Sequence, residues 1–243
     1  MNWNTISTDF MIYGPAGICM EGNQEALLKS LSLSVESIPE GGGEFTYVEI
    51  GAGGGGTLAF MAGNIARLSE TRGFKWRVIG VDIENGWSFD RRLIEENCGG
   101  FGLNWDDSNL EFGGISVSMA GGDRFFKTFV SPVNLALIDG DHSCEHVKRD
   151  FLNIEKLISD KGVVLFHDID EDAQSHPPAP IEVVEALKSL GLWDGSRIGW
   201  EKIAVTDPPG GNFGLLIARR KSGGVFERPL RVYLGCGNDI RPG

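Results

Sequence analysis

The chain has 243 residues, enough for one large domain whose core needs no disulfide or metal staple. Its formal net charge is −12, which argues against a general nucleic-acid partner or an anionic membrane surface. No apolar run reaches the ~20 residues of a membrane span, and the opening MNWNTISTDF lacks the basic and apolar regions of a signal peptide. We therefore expect a cytoplasmic protein whose cysteines, Cys19, Cys98, Cys144 and Cys236, are reduced thiols. Glycine is in excess: 35 residues, about twice the usual ~7%. Without a collagen-like period, these glycines must sit in particular loops.

Residues 1–22 read as an irregular N-terminal arm. The spacing of Ala26, Leu27, Leu31 and Val35 predicts a helix over 24–35. Phe45 to Ile50 (FTYVEI) is β-branched and aromatic, a strand. A glycine loop, Gly51 to Gly56, follows it, with Thr57 as the expected cap of the next helix. Leu58, Met61, Ala62, Ile65 and Leu68 form one face of that helix, Gly73 ends it, and Phe74 to Ile83 is a second strand. A helix over 91–97 and a short strand over 115–119 are expected next. Val133 to Ile138 (VNLALI) is the kind of apolar run found in parallel strands buried on both faces. A helix over 143–158, a strand over 163–166, a helix over 181–190 and an antiparallel pair at 203–205 and 213–218 complete the pattern. The alternation predicts an α/β fold: a Rossmann-like, mostly parallel seven-stranded sheet, helices on both faces, and an antiparallel last strand.

The loop Gly51-Ala52-Gly53-Gly54-Gly55-Gly56 stands between a strand and a helix, where backbone amides and the helix dipole suit an anionic group. Its spacing does not choose a cofactor. Gly51, Gly53 and Gly55 fit G-x-G-x-G, while Gly51, Gly53 and Gly56 complete the dinucleotide fingerprint G-x-G-x-x-G. Asp82 ends the next strand, where a carboxylate can take ribose hydroxyls. It stands 31 positions after Gly51, later than the ~20 of the dinucleotide pattern.

The stretch VEIGAGGGG resembles the first motif of class I S-adenosylmethionine-dependent methyltransferases. The resemblance implies S-adenosyl-L-methionine as cofactor. Glu49 would lie near its methionine end, Gly51, Ala52, Gly53 and Gly55 along it, Asp82 with Ile83 at the ribose, and Asp123 beside the adenine.

A second constellation follows the later strands. Asp139-Gly140-Asp141-His142 ends the fourth strand and His167-Asp168 the fifth, so these groups should meet on the rim beside the glycine loop. Capping of the following helix is the plainer reading of Asp141. The stretch ALIDGDHSCEHVKRDF…KGVVLFHDI resembles the small-molecule O-methyltransferase group, in its IDGDHSYE-type branch. That resemblance, over about residues 17–218, implies a small-molecule acceptor and a divalent cation, magnesium or manganese, on Asp139, His167 and Asp168. Relatives often carry Asp or Glu at the position of His167, and a histidine favours softer metals or metal-free catalysis. Asp139 also counts toward the cofactor site, and His142 is the expected general base, the two forming the catalytic pair. His146 reads better as an exposed helix residue, and His176 falls in the loop expected to line the acceptor pocket.

The domain reading is an arm over 1–22, a methyltransferase domain over 23–220, and a linker with an added segment over 221–243. In that segment LRVYLGCGNDIRPG resembles the opening of a second methyltransferase domain, so we expect the chain to stop where that domain begins. Three other functions stay open: a metallohydrolase on the Asp/His cluster, a nicotinamide-dependent oxidoreductase, and a non-catalytic cofactor-binding domain. Acceptor identity and oligomeric state are unreadable from the sequence.

Overall fold

The computed structural model describes residues 23–38, 42–82, 91–104, 110–113, 132–169, 179–206 and 214–223. The N-terminal arm, the strand expected at 115–119, Ile83, Asp123, His176 and the segment from residue 224 onward lie outside the described residues.

Five helices are described: α1 (Gln24–Val35), α2 (Gly56–Arg72), α3 (Arg91–Gly100), α4 (Cys144–Ile154) and α5 (Ala179–Ser189). The strands are β1 (Glu44–Ile50), β2 (Lys75–Val81), β3 (Leu110–Gly113), β4 (Val133–Ile138), β5 (Ile158–Phe166), β6 (Trp200–Thr206) and β7 (Leu215–Arg220). They form one sheet in the order β3-β2-β1-β4-β5-β7-β6. Strands β3 to β5 run parallel through β2, β1 and β4, and β7 is antiparallel to both β5 and β6. The expected α/β class is therefore what the chain adopts. Strand order reverses between β1 and β4, and in such sheets the carboxyl-end crevice at that reversal is where ligands bind.

Side chains alternate between the two faces, as a two-residue period requires. Phe45 and Tyr47 of β1, with Leu135 and Leu137 of β4, pack into one cluster with apolar residues of α1, α2 and α3. Val48 and Ile50, with Ala136 and Ile138, pack into the other with Val147 and Phe151 of α4 and Val183 and Leu187 of α5. The central strands are apolar on both faces because both faces are covered.

Among the boundaries that differ from the sequence reading, three have a clear physical cause. Thr57 caps nothing: α2 opens at Gly56 after a left-handed Gly55, and Thr57 is buried in the first turn. The helix expected to reach Ile158 stops at Ile154, because Glu155 is seized by two partners from across the fold. Arg197 donates to it through Nε at 2.9 Å and Nη2 at 2.6 Å, and Trp200 Nε1 donates at 2.9 Å. Ile158 then already pairs with Val133, so β5 starts five residues earlier than its apolar part, Val163 to Phe166. The exposed pair Asp160-Lys161 at its outer end hid that start. Cys98 is a free buried thiol, but Cys144 is disulfide-bonded, against the expectation of four reduced cysteines.

Asp150 of α4 is 1% exposed, and its Oδ2 finds no hydrogen-bond partner among the described residues. Burial, and then the charge of Asp141, push its carboxyl up to about 8. An aspartate of the unfolded chain titrates near ~3.9. The folded form thus holds its proton more tightly, and Asp150 removes stability as pH rises from the unfolded value through about 8. Asp150→Asn should be more stable than the unaltered chain at pH 9 by at least ~1 kcal/mol, roughly 2–4 °C in Tm, with a smaller gain at pH 5. Equal gains at both pH values in thermal melts would show that the carboxyl is ionised at neutrality.

Candidate functional site

The parallel ladder runs one residue past the strand ends. Gly51 N–H donates to Val81 O at 2.8 Å, Asp139 N–H to Ile50 O at 2.8 Å, and His167 N–H to Ile138 O at 3.1 Å. These bonds set the residues that follow β2, β1, β4 and β5 side by side. Asp82, the glycine loop, Asp139 and His167 with Asp168 therefore share one rim, as their positions in the sequence predict.

The glycine loop takes its shape from three of its residues. Gly51, Gly53 and Gly55 have φ of +91°, +52° and +71°, in or near the left-handed region that favours glycine. Gly56 is the first residue of α2 and has no such angle. The conformational pattern is therefore G-x-G-x-G. A Cβ on Gly51 would stand 2.0 Å from Asp139 O, so only glycine lets the loop meet the end of β4. A Cβ on Gly55 would stand 2.7 Å from Ile94 Cγ1 of α3. The loop is also tied from two sides: Asp82 Oδ2 accepts the Gly53 N–H at 2.6 Å, and Asn97 Nδ2 of α3 donates to Gly54 O at 2.8 Å. Ala52 is buried, and its carbonyl accepts the Gly55 N–H at 2.7 Å, closing the turn.

Across the rim stands a knot of two imidazoles and two carboxylates. His167 Nδ1 lies 3.0 Å from Asp139 Oδ1 and 3.1 Å from Asp168 Oδ1. His142 Nε2 lies 2.9 Å from Asp168 Oδ2 and 3.5 Å from Asp139 Oδ1. Neighbouring residues of an extended strand point to opposite faces, so His167 and Asp168 can converge only if the chain leaves the strand. It does so at Asp168, whose φ is +57°, a conformation that a short polar side chain tolerates.

Charge in this knot is mutually compensated. Burial alone would raise Asp139, but His167 and His142 outweigh it and hold the carboxyl below its usual range. Burial would lower His142, but the carboxylates of Asp139 and Asp168 outweigh it and raise the imidazole to about 10. His167 is raised against burial by Asp139 above all. At neutral pH His142 is thus an imidazolium, with no room for a further proton. Asp139, His142 and Asp168 offer one donor atom each, all within 4.8 Å of one another. His167, expected among the metal ligands, stands beside that group, hydrogen-bonded to Asp139 and 3.1 Å from Asp168 Oδ1, and His142, expected as a base, stands within it.

On the other side of the loop, Glu49 is 1% exposed and accepts a hydrogen bond from Tyr47 Oη at 2.8 Å. Burial pushes its carboxyl well above the ordinary value; the Tyr47 bond works the other way, and Asp139 and Asp82 add to the rise. Asp141 does not cap α4, whose N-cap Ser143 has no side-chain capping bond; its Oδ1 accepts the N–H of Ser143 at 2.8 Å, and its Oδ2 lies 3.4 Å from His146 Nδ1. Sequence reasoning missed Tyr47 and Asn97. Tyr47 was within reach, since it shares a strand face with Glu49 two residues away. The contact of Asn97 joins positions 43 apart and leaves no local signal.

A family described as a methyltransferase domain matches residues 48–169, just over half of the 243 residues. The chain belongs to that methyltransferase family. Its matched span begins at Val48, just before Glu49, and ends at Ile169, just after Asp168. Solved structures share the fold. An O-methyltransferase from Bacillus cereus in complex with SAH aligns with TM-score 0.55 at 15% identity, covering 83% of this chain and 81% of that one. The O-methyltransferase TomG from Streptomyces achromogenes, involved in tomaymycin synthesis and in complex with SAM, aligns at 0.56 and 13%, covering 84% and 88%. The O-methyltransferase NovP aligns at 0.55 and 16%, covering 82% and 80%. Likeness at these identities is likeness of fold. No curated protein matches the sequence significantly.

Two glycine substitutions separate steric need from mere composition. Gly51→Ala combines a positive φ with a backbone collision and should cost ~2 kcal/mol or more. Gly54→Ala meets only Leu93, with Cδ1 at 3.6 Å and Cβ at 3.9 Å, and should stay within ~1 kcal/mol of the unaltered chain. Urea melts of the two variants would check this, and equal losses would contradict the contact with Asp139.

Proposed function

We propose that the protein transfers the methyl group of S-adenosylmethionine to a hydroxyl of a small-molecule acceptor, with a divalent cation held beside the acceptor. The observation that carries this reading is the set of left-handed glycines, Gly51, Gly53 and Gly55, facing the Asp139–Asp168 knot across the β1/β4 reversal. The family match supports methyl transfer, and the relatives of like fold that hold SAM or SAH support the cofactor.

In this reading Glu49 and the loop amides take the methionine end, Asp82 with Ile83 takes the ribose, and Asp123 takes the adenine side. Methyl transfer is an in-line displacement at a sulfonium carbon, so its main demand is alignment of the acceptor oxygen with the S–CH₃ bond. Ladder bonds that fix Gly51 against Val81 and Asp139 against Ile50 serve that alignment.

Asp139, His142 and Asp168 fit a cation. Asp168 Oδ1 is buried without an aligned hydrogen bond, and once the cation displaces the proton of His142, two oxygens with one nitrogen suit manganese or another transition metal at least as well as magnesium. Bound there, a divalent cation would lower the pKa of a coordinated hydroxyl. His142 can act as a base only as the neutral imidazole; as the imidazolium it serves to balance Asp139 and Asp168. The knot does not favour a hydrolase, because such a reaction gives the glycine loop no task. An oxidoreductase is not favoured either, because Asp82 stands 31 positions after Gly51 rather than the ~20 of the dinucleotide pattern and the matching family is a methyltransferase domain.

Calorimetry with S-adenosylhomocysteine tests the cofactor: Asp82→Ala should weaken binding about tenfold or more, the usual loss for a hydrogen bond to a charged group. Absence of binding by the unaltered chain would end the methyl-transfer reading. Asp139→Asn should weaken manganese binding by ~10-fold or more while changing S-adenosylhomocysteine affinity little. Full activity of chelator-treated enzyme would remove the metal from the mechanism.

A further inference from the structure

Tyr47 and Glu49 lie two residues apart on β1 and share the face that packs on α1 and α2. Tyr47 is fully buried, and its ring serves the apolar cluster as a phenylalanine would. Its hydroxyl adds nothing to that packing, and burying a hydroxyl is costly unless it is bonded. The bond it makes is to Glu49 Oε2, at 2.8 Å. Among the described residues Tyr47 is the only hydrogen-bond donor to Glu49. Among the described residues no arginine or lysine pairs with this carboxyl; the charged groups that face it, Asp139 after β4 and Asp82 after β2, are carboxylates themselves.

A buried carboxylate with one phenol donor and two like-charged neighbours is under-compensated. It stands two residues before Gly51, whose φ of +91° opens the glycine loop. A cationic group of a ligand is what such an environment lacks. On the reading that the loop takes S-adenosylmethionine, that group is the ammonium of the amino-acid tail.

We propose that Tyr47 is a positioning residue: by holding Oε2 of Glu49 it fixes the carboxylate so that Oε1 receives the ammonium of the cofactor's amino-acid end. The phenol thereby makes binding depend on the zwitterionic tail rather than on the nucleoside alone. Removing the hydroxyl lets the carboxyl rotate and leaves it with no donor, so the tail loses its fixed partner while the adenosine contacts stay.

Tyr47→Phe keeps the ring and removes only the hydroxyl. The experiment measures calorimetric affinities of two ligands, S-adenosylhomocysteine and 5′-methylthioadenosine, which lacks the amino-acid tail. Tyr47→Phe should weaken S-adenosylhomocysteine about tenfold and 5′-methylthioadenosine less than about twofold. Glu49→Gln should discriminate in the same direction, and adding Tyr47→Phe to it should cause little further loss, because the two residues act as one unit. Equal weakening of both ligands, or of neither, overturns the proposal while leaving the cofactor reading intact. Additive losses in the double variant overturn it as well. If the unaltered chain binds no S-adenosylhomocysteine, the cofactor reading falls and this proposal with it.

Discussion

The site depends on one close approach: the backbone of Gly51 passes so near the carbonyl of Asp139 that no β-carbon fits between them. That contact lies where strand order reverses, and it is what joins the glycine loop to the end of β4. The ladder bonds on either side, Gly51 to Val81 and Asp139 to Ile50, keep the two chain segments in register past the last strand residues. From this splice follow the direction of α2, the seat of Asp82 under Gly53, and the distance from the loop to the carboxylate knot. Close packing transmits such a constraint, because an interior at crystal-like density has nowhere to absorb a displaced strand end.

Around the splice the protein gathers negative charge and compensates it unevenly. On the β4–β5 side, Asp139 and Asp168 are balanced by His142 and His167, and the four side chains hold one another within hydrogen-bonding distance. On the β1 side, Glu49 has a phenol and, among the described residues, no cation. Structural ion pairs tend toward balance, as Glu155 shows by taking both Arg197 and Trp200 at the far end of α4. An uncompensated carboxyl at the rim, where ligands of such sheets bind, is consistent with charge that a ligand completes. The left-handed Asp168 fits the same account, since local backbone strain persists where surrounding structure over-determines it.

Much of the fold was legible in the sequence. The helix over Gln24–Val35 and the strands around FTYVEI and VNLALI announce themselves through period and composition, because both faces of the sheet are covered and its central strands must be apolar throughout. Boundaries failed where a distant residue decided them. The end of α4 is set by Arg197 and Trp200, more than forty positions away, and the start of β5 is masked by exposed Asp160 and Lys161. The cysteine reading failed at Cys144 because thiol pairing is decided by spatial neighbours that spacing does not reveal.

The sequence by itself determined which residues stand at the rim: a strand that ends in Glu49-Ile50 before glycines, another that ends in Asp139, a third in His167-Asp168. In a parallel sheet every such end lies on the same side, so position along the chain becomes position in space. Only the tertiary structure decided what those residues do to one another. It selected Gly55 over Gly56 for the left-handed turn, because α3 presses Ile94 and Asn97 against the loop. It placed His142 between two carboxylates and so made it an imidazolium, and it turned the chain at Asp168 so that adjacent side chains converge. Angles, protonation and mutual distance depend on groups brought together from separate strands, and a linear pattern carries no record of those encounters.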